Sequence, residues 1–183
     1  MTSDPFTILG VPRRFAIDVA EAEAKHRQLS RMLHPDKHVG GAAGERRMAL
    51  SRAIEVNEAW RALRDPVQRA QTILGLEGLG DEIGETREPK PSAAFLMEVL
   101  EAREALDEAK TSKDGARVHA VVEDARRQHR AAEDALARAI DGALAGGGGK
   151  DRLRAAVPLL GALRYATRFL EEAISAEDAL SGF

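Results

Sequence analysis

The sequence predicts an all-α protein of two helical domains, on three observations. Apolar residues recur at three- and four-residue spacing through most of the chain. The gaps between these runs carry Asp, Pro and Gly at helix-start and helix-stop positions. Between Gly75 and Pro91 the pattern lapses into Gly78, Gly80, Gly84, Pro89 and Pro91 among charges, which is the composition of a domain boundary. The division expected is a first domain over 1–75, a linker over 76–91 and a second domain over 92–183.

The first domain reads as an antiparallel helical hairpin with two short helices added. Asp4-Pro5 opens a short apolar turn that Gly10 and Pro12 close. Asp18, followed three residues later by Glu21, reads as a capping box that starts a helix running to about Leu33. At about 100° per residue, Val19, Ala22, His26, Leu29 and Leu33 share one face, with Arg27 and Arg31 opposite and Lys25 on the flank. Pro35 ends that helix, because it lacks the amide and disfavours the helical conformation at His34. Asp36 is thereby left in a loop beside a basic helix face.

After Gly40, Gly41 and Gly44, a second long helix is expected over about Glu45–Leu63. Its packing face is read as Leu50, Ala53, Asn57, Trp60 and Leu63, turned back on Leu29 and Leu33. Asp65-Pro66 then caps and starts a short helix to about Leu74.

The second domain reads as a three-helix bundle, with helices over about Ser92–Lys110, Gly115–Leu144 and Lys150–Leu180. Pro158 should kink or restart the last of them. In the first of the three, Val99, Ala102 and Leu106 fall within about 40° of Phe95 and form a core stripe. Leu96, Leu100 and Met97 lie between about 100° and 200° away, where the same core cannot receive them. Glu101, Arg103, Glu104 and Asp107 surround them. One reading is a helix buried on two sides; the other is a partner surface with apolar anchors and a polar rim. In the last helix Leu160, Leu163, Thr167, Leu170 and Ile174 make a core stripe with Tyr165 roughly opposite, and Phe169 fits either core or surface.

Composition narrows the function. A formal charge of -3 is too balanced for wholesale binding to nucleic acid or an anionic membrane. The longest uncharged run in the second half, Ala155 to Leu163, is far short of the roughly 20 residues a spanning helix needs. The N-terminus lacks the basic and apolar segments of a signal peptide, so a cytoplasmic protein is expected. The chain has no cysteine, which excludes disulfides, thiolate metal sites and a cysteine nucleophile.

Other sites are weighed and set aside. His34, Asp36 and His38 are close in sequence, but Pro35 breaks the helix that would align the histidines and no further ligand is evident, so no metal is expected. His26 and His129 sit on apolar stripes as packed histidines. Gly146 to Lys150 departs from a phosphate loop at Asp151 and Leu144 and reads as a turn. Arg126-Arg127-Gln128-His129-Arg130 is flanked by acids and lacks stacking aromatics, so it reads as a solvated helix face. No catalytic residue is assigned, no cofactor is expected, and the chain is not read as an enzyme.

A basic helix, then His34-Pro35-Asp36, then a helix ending Asn57-Glu58-Ala59-Trp60-Arg61-Ala62-Leu63-Arg64-Asp65-Pro66 resembles the J domain of DnaJ-type co-chaperones. Phe95-Leu96-Met97-Glu98-x-Leu100-Glu101-x-Arg103-Glu104-x-Leu106-Asp107-Glu108 resembles the start of the C-terminal domain of the HscB family, J-type co-chaperones of iron-sulfur cluster assembly. The likeness covers both domains. It implies that the first domain engages an HscA/DnaK-class chaperone and stimulates its ATPase, while the second holds an IscU-type scaffold and delivers it. The sulfur ligands of any cluster would then come from another protein. Matched residue by residue, His34, Pro35 and Asp36 would contact the chaperone with Arg27, Arg31 and Lys37 as electrostatic partners. Leu96, Met97, Leu100 and Tyr165 would form the scaffold patch, with Glu101, Arg103 and Glu104 at its rim. The alternative is a J-domain co-chaperone for a different client, and weak self-association through the patch is left open.

Overall fold

The computed structural model describes residues 4–34, 43–84 and 89–181, all helical or irregular with no strand among them. The helices are α1 (Pro5–Leu9), α2 (Val19–Met32), α3 (Ala43–Arg64), α4 (Pro66–Leu74), α5 (Gly80–Ile83), α6 (Ala93–Thr111), α7 (Gly115–Ala145), α8 (Lys150–Leu153) and α9 (Ala156–Ser181). No helix of the described residues is long and apolar enough to cross a membrane. The chain divides into two compact units, Met1–Gly78 and Leu79–Phe183.

In the first unit the start signals read from sequence are used as such. Asp4, Asp18 and Asp65 each cap a helix, accepting from the amides of Phe6, Glu21 and Gln68 at 2.9, 3.0 and 2.8 Å. Pro5 and Pro66 occupy first-turn positions where their missing amide costs nothing. Helices α2 and α3 run antiparallel, since His26 meets Asn57 and Trp60 while Leu29, Met32 and Leu33 share a cleft with Arg52, Glu55 and Val56. Short α1 also packs on α3.

The packing face of α3 differs from the one expected. Leu50 is 56% exposed, while Ala49, Val56 and Ala59 are buried beside the expected Leu63, so the buried stripe lies to one side of the expected one, with Asn57 and Trp60 at its edge against His26 of α2. The reason is steric: α1 and α2 both close on α3, and alanines at 49 and 59 admit that approach where Leu50 would hold the helices apart. Arg69, 4% exposed, donates from Nη1 to the carbonyl of Leu63 at 2.8 Å and places its guanidinium 4.8 Å from the centre of the Phe15 ring. A cation thus satisfies one of the carbonyls left over at the C-terminus of α3.

The second unit is an up-down-up bundle. Helix α7 runs antiparallel to α9, with His119 beside Glu177 and His129 beside Thr167 at 2.6 and 3.2 Å. Its core joins Val99, Leu106 and Ala109 of α6, Val118, Val122 and Ala125 of α7, and Phe169 and Ala173 of α9. Phe169 is therefore a core residue. At the end of α7 the amides of Gly147 and Gly148 return to the carbonyls of Leu144 and Ala143 at 3.0 and 2.9 Å, with Gly147, Gly148 and Gly149 at φ 101°, 68° and 99°. Only glycine adopts three such angles in succession without strain, so this run is a helix cap. The last helix is in two pieces rather than one continuous run from Lys150. The break falls between Leu153 and Ala156, and Pro158 lies in the first turn of α9, where no intrahelical amide bond is lost.

Of the stretch 76–91, residues 79–84 and 89–91 pack in this second unit. Leu79, Ile83, Pro89 and Pro91 are buried. Glu82 meets Arg154 at 3.2 Å and Lys150 at 3.5 Å, and Arg164 donates to the carbonyl of Ile83 at 3.2 Å. The Pro89–Pro91 segment crosses α9 directly over Gly161. A β-carbon there would lie 2.3 Å from the Pro89 carbonyl oxygen and 3.1 Å from the Pro91 nitrogen.

Two outcomes follow for stability. Gly161→Ala would gain up to about 1 kcal/mol of helix propensity but force backbone apart, at about 1–3 kcal/mol. The net loss should appear in chemical denaturation, and a variant as stable as the wild type would contradict the crossing. The Glu82 carboxylate is held below its ordinary range chiefly by hydrogen bonding from Arg154, opposed by desolvation and supported by the charges of Arg154 and Lys150. A depressed carboxylate stabilises the fold above its unfolded pKa and ceases to do so as pH falls through the folded value. Glu82→Gln should therefore be less stable than wild type at neutral pH, with the gap closing in acid; a gap independent of pH would contradict the pairing.

Candidate functional site

Two surfaces carry the residues singled out from sequence. On the first unit, α2 presents Arg27 and Arg31 one turn apart, both exposed. Arg27 pairs with Glu23 at 2.8 Å, and Arg31 donates from Nε to the Arg27 carbonyl at 3.3 Å, so the two guanidinium groups form one ridge along the outer face of the helix. Lys25 has a different task. It bonds the Gly10 carbonyl at 2.7 Å and pairs with Glu21, tying α2 to the end of α1.

His34 stands exposed just past the end of α2. Pro35, Asp36, Lys37 and His38 lie outside the described residues. The inner face of the hairpin is described fully. The ring of His26 stacks on Trp60 at 5.4 Å between centroids, and its Nε2 lies 3.0 Å from Asn57 Oδ1 and 3.3 Å from Ser30 Oγ. Asn57 and Trp60, one turn apart on α3, thus grip one histidine of α2 and set how the basic ridge is held. His26 is stacked but only half-buried, so it packs at the edge of the hairpin rather than in the core that its place on the apolar face suggested.

On the second unit, the core of the bundle closes without Leu96, Met97 and Leu100, which are 37%, 55% and 50% exposed. Glu101 and Glu104 are exposed beside them. Arg103 reaches across to α9 and pairs with Glu172 at 3.2 Å.

The direction of the helices determines what else belongs to this face. The start of α6 lies at Gly161, and Arg103 twelve residues after Pro91 meets Glu172 eleven residues after Gly161, so α6 and α9 run parallel and nearly in step. Leu96 precedes Arg103 by two turns, and Tyr165 precedes Glu172 by the same two turns. Tyr165 therefore stands level with Leu96 across the seam. The Arg168 guanidinium lies over its ring, 4.8 Å from the centroid. The result is one surface on two helices, apolar at Leu96, Met97, Leu100 and the Tyr165 ring and charged at its edges. Arg168 and Glu172 were not singled out from sequence. Their spacing of three and seven residues from Tyr165 marks one helix face, but only the parallel register shows that this face adjoins α6.

The other sequence features have local explanations. Arg126 pairs with Glu123 at 2.9 Å and Arg127 with Asp124, while His129 bonds Thr167, so two arginines of the basic run are paired within their own helix and its histidine is engaged by α9. No group of three or more potential metal ligands is gathered among the described residues.

Comparison with known proteins agrees with this architecture. Residues 4–72 match the family model of the DnaJ domain, and residues 91–174 match that of the HSCB C-terminal oligomerisation domain. The structure is similar to chaperone HscB from Vibrio cholerae, at 27% identity and a TM-score of 0.77, covering 97% of this chain and 99% of that one. It is also similar to human co-chaperone protein HscB, at 25% identity and a TM-score of 0.77, covering 95% of this chain and 82% of that one. With a J domain and an HscB C-terminal domain in that order on one helical scaffold, the chain belongs to the HscB family of J-domain co-chaperones.

Proposed function

We propose that this co-chaperone serves iron-sulfur cluster assembly in the cytoplasm, holding an IscU-type scaffold on the α6–α9 surface and presenting it to an HscA/DnaK-class chaperone whose ATPase its J domain stimulates. The observation that carries the scaffold reading is the exposure of Leu96, Met97 and Leu100 on a bundle whose core is complete without them. Exposed apolar groups gathered in one patch and rimmed by charge are what a protein partner covers.

The J domain performs no bond chemistry. Asp36, beside His34 and Pro35, with Arg27, Arg31 and Lys37 as cationic partners, would bind the hydrolysing conformation of the chaperone better than the other and so shift its population. Meanwhile the scaffold held on the same chain meets the chaperone at an effective concentration of up to about millimolar. Delivery and triggering become one event.

The test is calorimetric titration of the full chain with a purified IscU-type scaffold. Wild type should bind in the micromolar range. The Leu96→Ala/Met97→Ala/Leu100→Ala variant should lose about 1–3 kcal/mol per anchor, as central interface residues do, while its unfolding free energy stays within about 1 kcal/mol because the three are exposed. Full affinity in a folded triple variant would remove the patch from the scaffold site.

A further inference from the structure

Tyr165 presents a structural question that its place in the patch does not answer. It is half-buried on α9, level with Leu96, and its ring is met by a side chain of its own helix. Arg168, three residues on, lies over the ring face at 4.8 Å from the centroid. That is within the range of about 6 Å in which a guanidinium is attracted to an aromatic quadrupole. The planar guanidinium lies over one ring face, and two turns further on the α6–α9 seam is closed by the pair of Arg103 and Glu172.

We infer that Arg168 is a positioning residue of the scaffold surface, holding the Tyr165 ring in one orientation so that it meets the partner as a rigid plate beside Leu96. The inference rests on the scaffold reading of this surface. Its physical content is pre-organisation: an aromatic side chain already fixed in the free protein has little rotamer freedom left to lose when the partner covers it. Arg168 thus acts through Tyr165, whereas Arg103 and Glu172 pair directly across the two helices.

Tyr165 is the sole tyrosine of the chain, so ring labelling with carbon-13 gives a single reporter. In the free protein, Arg168→Ala should shift and narrow the Tyr165 ring signals, and Arg168→Lys should keep them closer to wild type. In scaffold titrations Arg168→Ala should weaken binding by roughly two- to five-fold, the size of an exposed cation-aromatic contact, with Arg168→Lys recovering part of it. In a Tyr165→Ala background, Arg168→Ala should have no further effect. Unchanged ring signals would overturn the inference, as would an undiminished effect of Arg168→Ala without the tyrosine, which would make the arginine a direct contact. A wild-type chain that fails to bind scaffold would overturn the scaffold reading itself, and the ring signals, which need no partner, separate that failure from this one.

Discussion

The second unit depends on a close approach of backbone to backbone at Gly161. The Pro89–Pro91 segment can cross α9 only where no side chain stands between them. Once it has crossed, α6 must set off beside α9 and in the same direction, and the remaining consequences are geometric. Parallel helices advance together at about 1.5 Å per residue, so the crossing at Gly161 and the shared core of Val99, Leu106, Phe169 and Ala173 set which residues face each other along the seam, and the pair of Arg103 and Glu172 reports that register. Leu96 and Tyr165 stand level because of that register, although 69 positions separate them in sequence. A shift of one residue in α9 would turn the tyrosine by about 100°, toward the core or away from the patch.

The same unit shows how a helix can contribute to a core and still leave apolar groups outside it. Val99, Leu106 and Ala109 satisfy the bundle, and α7, lying antiparallel to both neighbours, closes the remaining side. Leu96, Met97 and Leu100 are therefore only partly covered by folding, and the rest of their apolar surface is available to a partner. In the first unit the apolar groups are used differently. Small residues on α3 let three helices close on a thin core, and one stacked pair, His26 on Trp60, fastens the hairpin from which the basic ridge projects.

Much of this was legible in the sequence because it is local. Helix starts at Asp4, Asp18 and Asp65, the stop at Gly10, and the core stripe of α6 all follow from spacing and capping chemistry within a few residues. The face of α3 was misread at Leu50 because periodicity ranks residues by size, while the buried stripe was chosen by how closely α1 and α2 approach. The break before Ala156 came earlier than Pro158 suggests, since proline is accommodated in the first turn of a new helix. Residues 79–84 and 89–91 carry the composition of a linker, yet they pack within the second unit, and Pro89 and Pro91 cross α9 there. Arg168 and Glu172 could not be placed from sequence at all, because their relation to α6 depends on that crossing.

The proposed activity rests on two surfaces acting from one chain, one for the chaperone and one for the scaffold. The most direct measurement is a complementation assay of chaperone ATPase in the presence of scaffold. An Asp36→Asn chain keeps the scaffold surface, and a Leu96→Ala/Met97→Ala/Leu100→Ala chain keeps the J domain. If covalent linkage couples delivery to triggering, an equimolar mixture of the two should fail to restore the scaffold-dependent stimulation given by the wild type. Full stimulation by the mixture would contradict the account, because the two surfaces would then work as well apart as together.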